Sequence, residues 1–159
     1  MPLWVKSNFS FLEGASHPDE LMEQAHVLGL PAIALTDRDG VYGIVRAHMR
    51  ALDLGVRVLI GAELTLTGVG TGAGIGASRV VALCQDREGY GHLCQLISRG
   101  RLRSKKGESS LRVEELIELG RGLIVLCPER ELLEPLQGAF GDRLYASIAR
   151  HLLAEGFGH

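Results

Sequence analysis

Cysteine is scarce in this 159-residue sequence: Cys84, Cys94 and Cys127 are the only three, and no two stand in a C-x-x-C pair. An odd count without paired spacing argues against a disulfide framework and against a zinc knuckle, and it suits a reducing compartment. Aromatic residues make up 5% and are not interleaved with the cations, so the sequence offers no row of platforms for stacked bases. The six histidines, His17, His26, His48, His92, His151 and His159, are scattered, with no H-x-H and no H-x-x-x-H spacing to pair two imidazoles on a metal. No run of about 18 apolar residues occurs, and "MPLWVKSNFS" has no apolar stretch behind a basic start. A soluble, cytoplasmic protein without a membrane partner is the expectation. A net charge of -2 gives no global field toward nucleic acid, so any such contact must be local.

What is present is a 46% hydrophobic chain, enough for one core and one domain over residues 1–159. Apolar runs alternate with helical periodicity. "PLWVK" reads as a strand; Ser16 with Asp19 three residues on caps a helix through Leu21, Ala25 and Leu28 that Gly29 ends. A strand at Ala32 to Leu35, a loop to Gly40, a helix from Val41 to Leu54 and a strand from Arg57 to Ile60 repeat the pattern. Further strands fall at Arg79 to Cys84, Leu123 to Cys127 and near Leu144. Helices fall at Arg87 to Ser98, Val113 to Leu119, Glu129 to Gln137 and around Ala149 to Glu155. Such alternation predicts an α/β fold with parallel pairing, and in such folds chemistry gathers at the carboxyl ends of the strands.

Two segments break the rhythm. "GVGTGAGIG" holds a G-x-G-x-x-A string from Gly72 to Ala77, but a strand pattern follows it where a dinucleotide fingerprint needs a helix, so it reads as a hairpin tip. "RGRLRSKKGE" clusters Arg99, Arg101, Arg103, Lys105 and Lys106, a solvated loop or a local contact for phosphates. The carboxylates say more. Glu13, Asp37, Asp39 and Glu63 follow predicted strands, as do Lys6 and Arg38, so all are expected at one mouth.

The stretches "SNFSFLEGASHPDELMEQAHVLGLPAIALTDRDGVYGIVRAH", "VLIGAEL" and "VVALCQDREGYGHLCQLISRGRLRSKKGES" resemble the amino-terminal polymerase-and-histidinol-phosphatase (PHP) domain of bacterial C-family DNA polymerases. The similarity is to the alpha subunit, nearest its error-prone, translesion forms, and runs from about Leu3 to about Gly156. It implies a distorted parallel β/α barrel, of which this chain holds the amino-terminal portion. Active members carry Zn or Mn ions at the strand ends for phosphoester hydrolysis or proofreading. By position, the family's first H-x-H falls on Trp4 and Lys6, the histidine after "TD" on Arg38, and a later histidine on Ser78 or Arg79. Glu13, Asp37 and Glu63 match acidic positions. Ammonium and guanidinium groups donate hydrogen bonds and repel cations. The resemblance therefore implies no metal cofactor and no catalytic residue, and a mouth of ion pairs in which Arg38 faces Asp37 and Asp39. The role implied is structural, in translesion synthesis, with the polymerase core or other replication and repair proteins as partners. Two alternatives stay open: a metal-dependent phosphoesterase or 3'-5' exonuclease using Glu13, Asp37 and Glu63, and a DNA-contacting module working through Arg99 to Lys106. An unclosed barrel would also expose strand edges and invite self-association.

Overall fold

A computed structural model of the chain describes residues 1–68 and 77–148. Helix α1 spans Pro18–Val27, strand β1 Ala32–Leu35, α2 Ile44–Leu54 and β2 Arg57–Leu66. Strand β3 (Ser78–Cys84), α3 (Arg87–Arg103), α4 (Val113–Glu118), β4 (Leu123–Cys127), α5 (Arg130–Phe140) and β5 (Leu144–Ala146) follow. The Gly72 to Ala77 string, apart from Ala77, and the helix expected around Ala149 to Glu155 lie outside the described residues.

The five strands form one mixed sheet in the order β1-β2-β3-β4-β5, the α/β class expected, and it does not close among the described residues. β1 and β2 pair in parallel, joined by α2 as crossover, and β4 pairs with β5 in parallel. The two central ladders run antiparallel, against the all-parallel expectation. Leu66 faces Ser78, so the end of β2 lies beside the start of β3. "PLWVK" contributes only a single bridge, Val5 to Leu35.

Strand β2 is longer than expected because Gly61 does not end it. A Cβ there would lie 2.6 Å from the Ala82 carbonyl oxygen, so glycine is what lets β2 and β3 approach closely. Residues of alternate parity face opposite sides. Ala62, Leu64 and Leu66, with Val80 and Ala82, are buried beneath α3, α4 and α5. Ala34, Val81 and Leu83 line the other side with Leu3, Leu59, Ile124 and Leu126, beside an apolar groove of about 580 Å³. Glu63, Thr65 and Arg79 share the parity of that second side. A third cluster joins α1 and α2 to β1 through Met22, Ala25, Ile33, Leu35, Ala47 and Ala51.

Helix α1 is capped one residue later than the sequence suggests, with Glu20 accepting from the His17 amide at 2.8 Å. Of the three cysteines expected in the core, Cys127 is buried there and Cys84 packs against it half-buried, whereas Cys94 lines a surface cleft; burial pushes the Cys84 thiol up to about 12. No helix among the described residues is long and apolar enough to cross a membrane.

Arg103 braces α4 by donating two hydrogen bonds to Glu115, at 2.6 and 2.7 Å. That guanidinium holds the Glu115 carboxyl down at about 2, from an ordinary 4.5. A depressed carboxyl stabilises the fold above its unfolded value and loses that contribution as pH falls through the folded value. Arg103 is 40% exposed, which weakens the pair. Between about pH 5 and pH 2, wild type should therefore lose on the order of 1–2 kcal/mol more stability than Glu115→Gln, read from urea midpoints.

Candidate functional site

The loop after Val5 is built around Asp37, which is 2% exposed. Its carboxylate accepts from the Ser7 amide, the Ser7 hydroxyl and the Ser10 hydroxyl, each at 2.7 Å. The Ser10 oxygen in turn accepts from the Arg38 amide at 2.9 Å. Gly14 closes the loop against the Ser7 carbonyl, where a Cβ would stand 2.1 Å from the oxygen. Glu13 is thereby held over the sheet.

Glu63 lies inside β2 and not at a strand end as the sequence suggested; it is 1% exposed. It accepts from Trp4 Nε1 at 2.7 Å, from Lys6 Nζ at 3.0 Å and from Arg79 Nη1 at 3.2 Å. Glu13 pairs with Lys6, with Arg38 at 2.6 Å and with Arg79 at 3.2 Å. Lys6 thus bridges both carboxylates. Its ammonium, followed by the fields of Arg79 and Arg38, holds the Glu13 carboxyl below its usual range despite burial acting the other way. Beside this cluster, Arg38, Asp39, Thr65, Arg79 and Glu108 help line a cleft of about 250 Å³.

The structure brings together Trp4, Lys6, Glu13, Arg38, Glu63 and Arg79. Asp37 and Asp39 stand apart. The expectation that they orient Arg38 is corrected: Asp37 is engaged by serines, and Asp39 accepts from the Thr65 amide and hydroxyl at 2.8 and 2.6 Å. Arg38 turns to Glu13 instead. Ser7, Ser10 and Thr65 were missed by sequence reasoning; a serine repeat in the loop after the first predicted strand was the available signal, and nothing marked Thr65.

The basic segment also differs from expectation. Helix α3 continues to Arg103, so Arg99, Arg101 and Arg103 are helical. Arg99 forks onto Glu118 at 2.9 and 3.2 Å, and Arg101 donates to the Asp39 carbonyl at 3.1 Å. Only Lys105 and Lys106 of the five lack an ion pair or side-chain hydrogen bond among the described residues, and both are exposed. Arg99 and Arg103 are thus paired with carboxylates of α4, whereas Arg101 is held by carbonyl oxygens alone.

The donor set does not suit Zn or Mn. Among the described residues no three His, Cys, Asp or Glu side chains converge. The two carboxylates that do converge are saturated by an ammonium, two guanidiniums and an indole N–H, none of which can ligate a cation.

The α/β fold has counterparts among solved structures. One, from Bifidobacterium adolescentis and described as a metal-dependent phosphoesterase, matches with a TM-score of 0.63 at 18% identity, covering 86% of this chain and 73% of that one. An amidohydrolase from Chromobacterium violaceum, with bound sulfate and no metal, matches at 0.56 and 16% identity, covering 87% and 72%. These define the architecture. Residues 3–154 match the PHP domain, and the chain belongs to that family. It is 42% identical to an error-prone DNA polymerase of Anaeromyxobacter sp. (strain K), covering 96% of this chain and 14% of that protein. It is 38% identical to error-prone DNA polymerase 1 of Rhizobium meliloti (strain 1021), covering 94% and 14%. The chain therefore spans about one seventh of the length of these relatives.

Proposed function

We propose that this chain is a metal-free, non-catalytic PHP domain with a structural role in an error-prone, translesion polymerase assembly in the cytoplasm. Its partners on this reading are the polymerase core or other replication and repair proteins. The supporting observation is the position of Lys6, whose ammonium sits between Glu13 and Glu63 where a divalent ion would need those same oxygens. With Arg38 and Arg79 also on Glu13, the cluster is neutralised from within, and a metal would have to displace three cations to enter. On this reading the site lacks the Lewis acid that phosphoester hydrolysis would need, and its role is that of a scaffold.

The test is elemental analysis of protein purified in zinc or manganese, with release of nitrophenol from a generic phosphodiester measured in parallel. Far less than one metal per chain and no Mn-dependent release are expected. Stoichiometric, tightly held metal with turnover abolished by Glu63→Gln would overturn the proposal.

A further inference from the structure

Helix α2 carries two apolar stripes. Ile44, Ala47 and Ala51 are buried against α1 and the sheet. On the outer face Val45, Met49 and Leu52 are 74%, 60% and 64% exposed, and Tyr42, ahead of the first turn, is 62% exposed. Val45, Met49 and Leu52, spaced four and three residues apart, follow the a/d repeat by which one helix seats on another, and Tyr42 precedes them in the turn before the helix. At about 100° per residue the stripe lies roughly opposite the buried face. Single exposed apolar residues are ordinary, but three in one helical register with a tyrosine ahead of them form a ridge.

We propose that this ridge is a homotypic docking surface on which a second copy of this chain packs, with its α2 antiparallel to the first. This goes beyond the structural role above and does not depend on the state of the Glu13 and Glu63 cluster. The ridge is complementary to itself: about a two-fold axis at Ala47, Val45 meets Met49 of the second copy and Tyr42 meets its Leu52. The patch also has the required size. The Phe9 ring lies 6.2 Å from that of Tyr42, and the same loop exposes Phe11 and Leu12. If each of Phe9, Tyr42, Val45, Met49 and Leu52 exposes on the order of 100 Å², the patch offers roughly 500 Å² per partner, about 1,000 Å² in all, the lower end of specific interfaces and the range of a weak dimer. Charge does not oppose the pairing. Arg46 and Arg50 beside the ridge are paired within their own copy, with Asp19 at 2.9 Å and Glu23 at 2.8 Å. A ridge flanked by neutralised cations suits an apolar protein face and not a nucleic-acid backbone.

Analytical ultracentrifugation of the chain across a concentration series tests this. A reversible dimer with a Kd of about 10 μM is expected, as for a modest interface. Val45→Glu and Met49→Lys should each sediment as folded monomers, weakened at least about tenfold, with circular dichroism unchanged because both positions face solvent. Mixing the two variants should restore a heterodimer, since the antiparallel register sets the new glutamate against the new lysine. A wild-type monomer at every concentration, a dimer indifferent to both substitutions, or a mixture that stays monomeric overturns the proposal. The metal analysis above is read independently, so either idea can fail alone.

Discussion

Asp37→Ala should lower the unfolding free energy by about 3–5 kcal/mol, among the largest single effects in the molecule. The carboxylate is nearly inaccessible and accepts three hydrogen bonds, two of them from hydroxyls whose oxygens then accept the Phe9 and Arg38 amides. Alanine removes the acceptor and strands the donors where water has little access, and the loop from Ser7 to Gly14 loses its anchor. Urea denaturation gives the magnitude from the midpoint at unchanged slope. Asp37→Asn keeps one carbonyl acceptor and should cost about 2 kcal/mol, which keeps the comparison measurable if the alanine variant does not fold. A loss below about 1 kcal/mol in both variants would mean that the serines are satisfied elsewhere and that Asp37 does not organise the loop.

How much of this was legible in the sequence depends on whether the signal was local. The α/β alternation was, because helical and strand periodicities are properties of short windows. The meeting of Lys6, Glu13 and Arg38 was legible as well, since the loops that carry them share one mouth, but Glu63 joins them from inside β2 and not from a strand end. Gly61 misled because glycine reads as a strand terminator, while its function here is to let the Ala82 carbonyl approach, a contact 21 residues away in the chain. The direction of β3 was equally hidden, since periodicity reports which face is buried and is silent on polarity. Arg99 and Arg103 looked free in sequence because Glu118 and Glu115, which neutralise them, lie 19 and 12 residues further on. Local charge density overstates surface charge whenever a following helix carries the opposite sign.

Glu63→Leu should cost about 2–4 kcal/mol and, more diagnostically, should be relieved by Lys6→Met in the same chain. The single substitution leaves Glu13 as the sole carboxylate facing Lys6, Arg38 and Arg79, and leaves the Trp4 indole N–H without its acceptor. Arg79 at 40% exposure can turn to water, whereas Lys6 at 18% has less freedom, so most of the unpaired charge falls on Lys6. Replacing both members by apolar groups removes the stranded charge together with its partner, an exchange that elsewhere is often neutral or stabilising. A coupling energy of about 1–3 kcal/mol between the two positions is therefore expected from a double-mutant cycle in urea. Trp4, the only tryptophan, supplies a local check: its emission should move to longer wavelength in Glu63→Leu as the indole exchanges a carboxylate for water. Strict additivity, with Trp4 emission unmoved, would mean that Lys6 and Glu63 are neighbours without dependence, and an ammonium could not then be said to hold the place of a divalent ion.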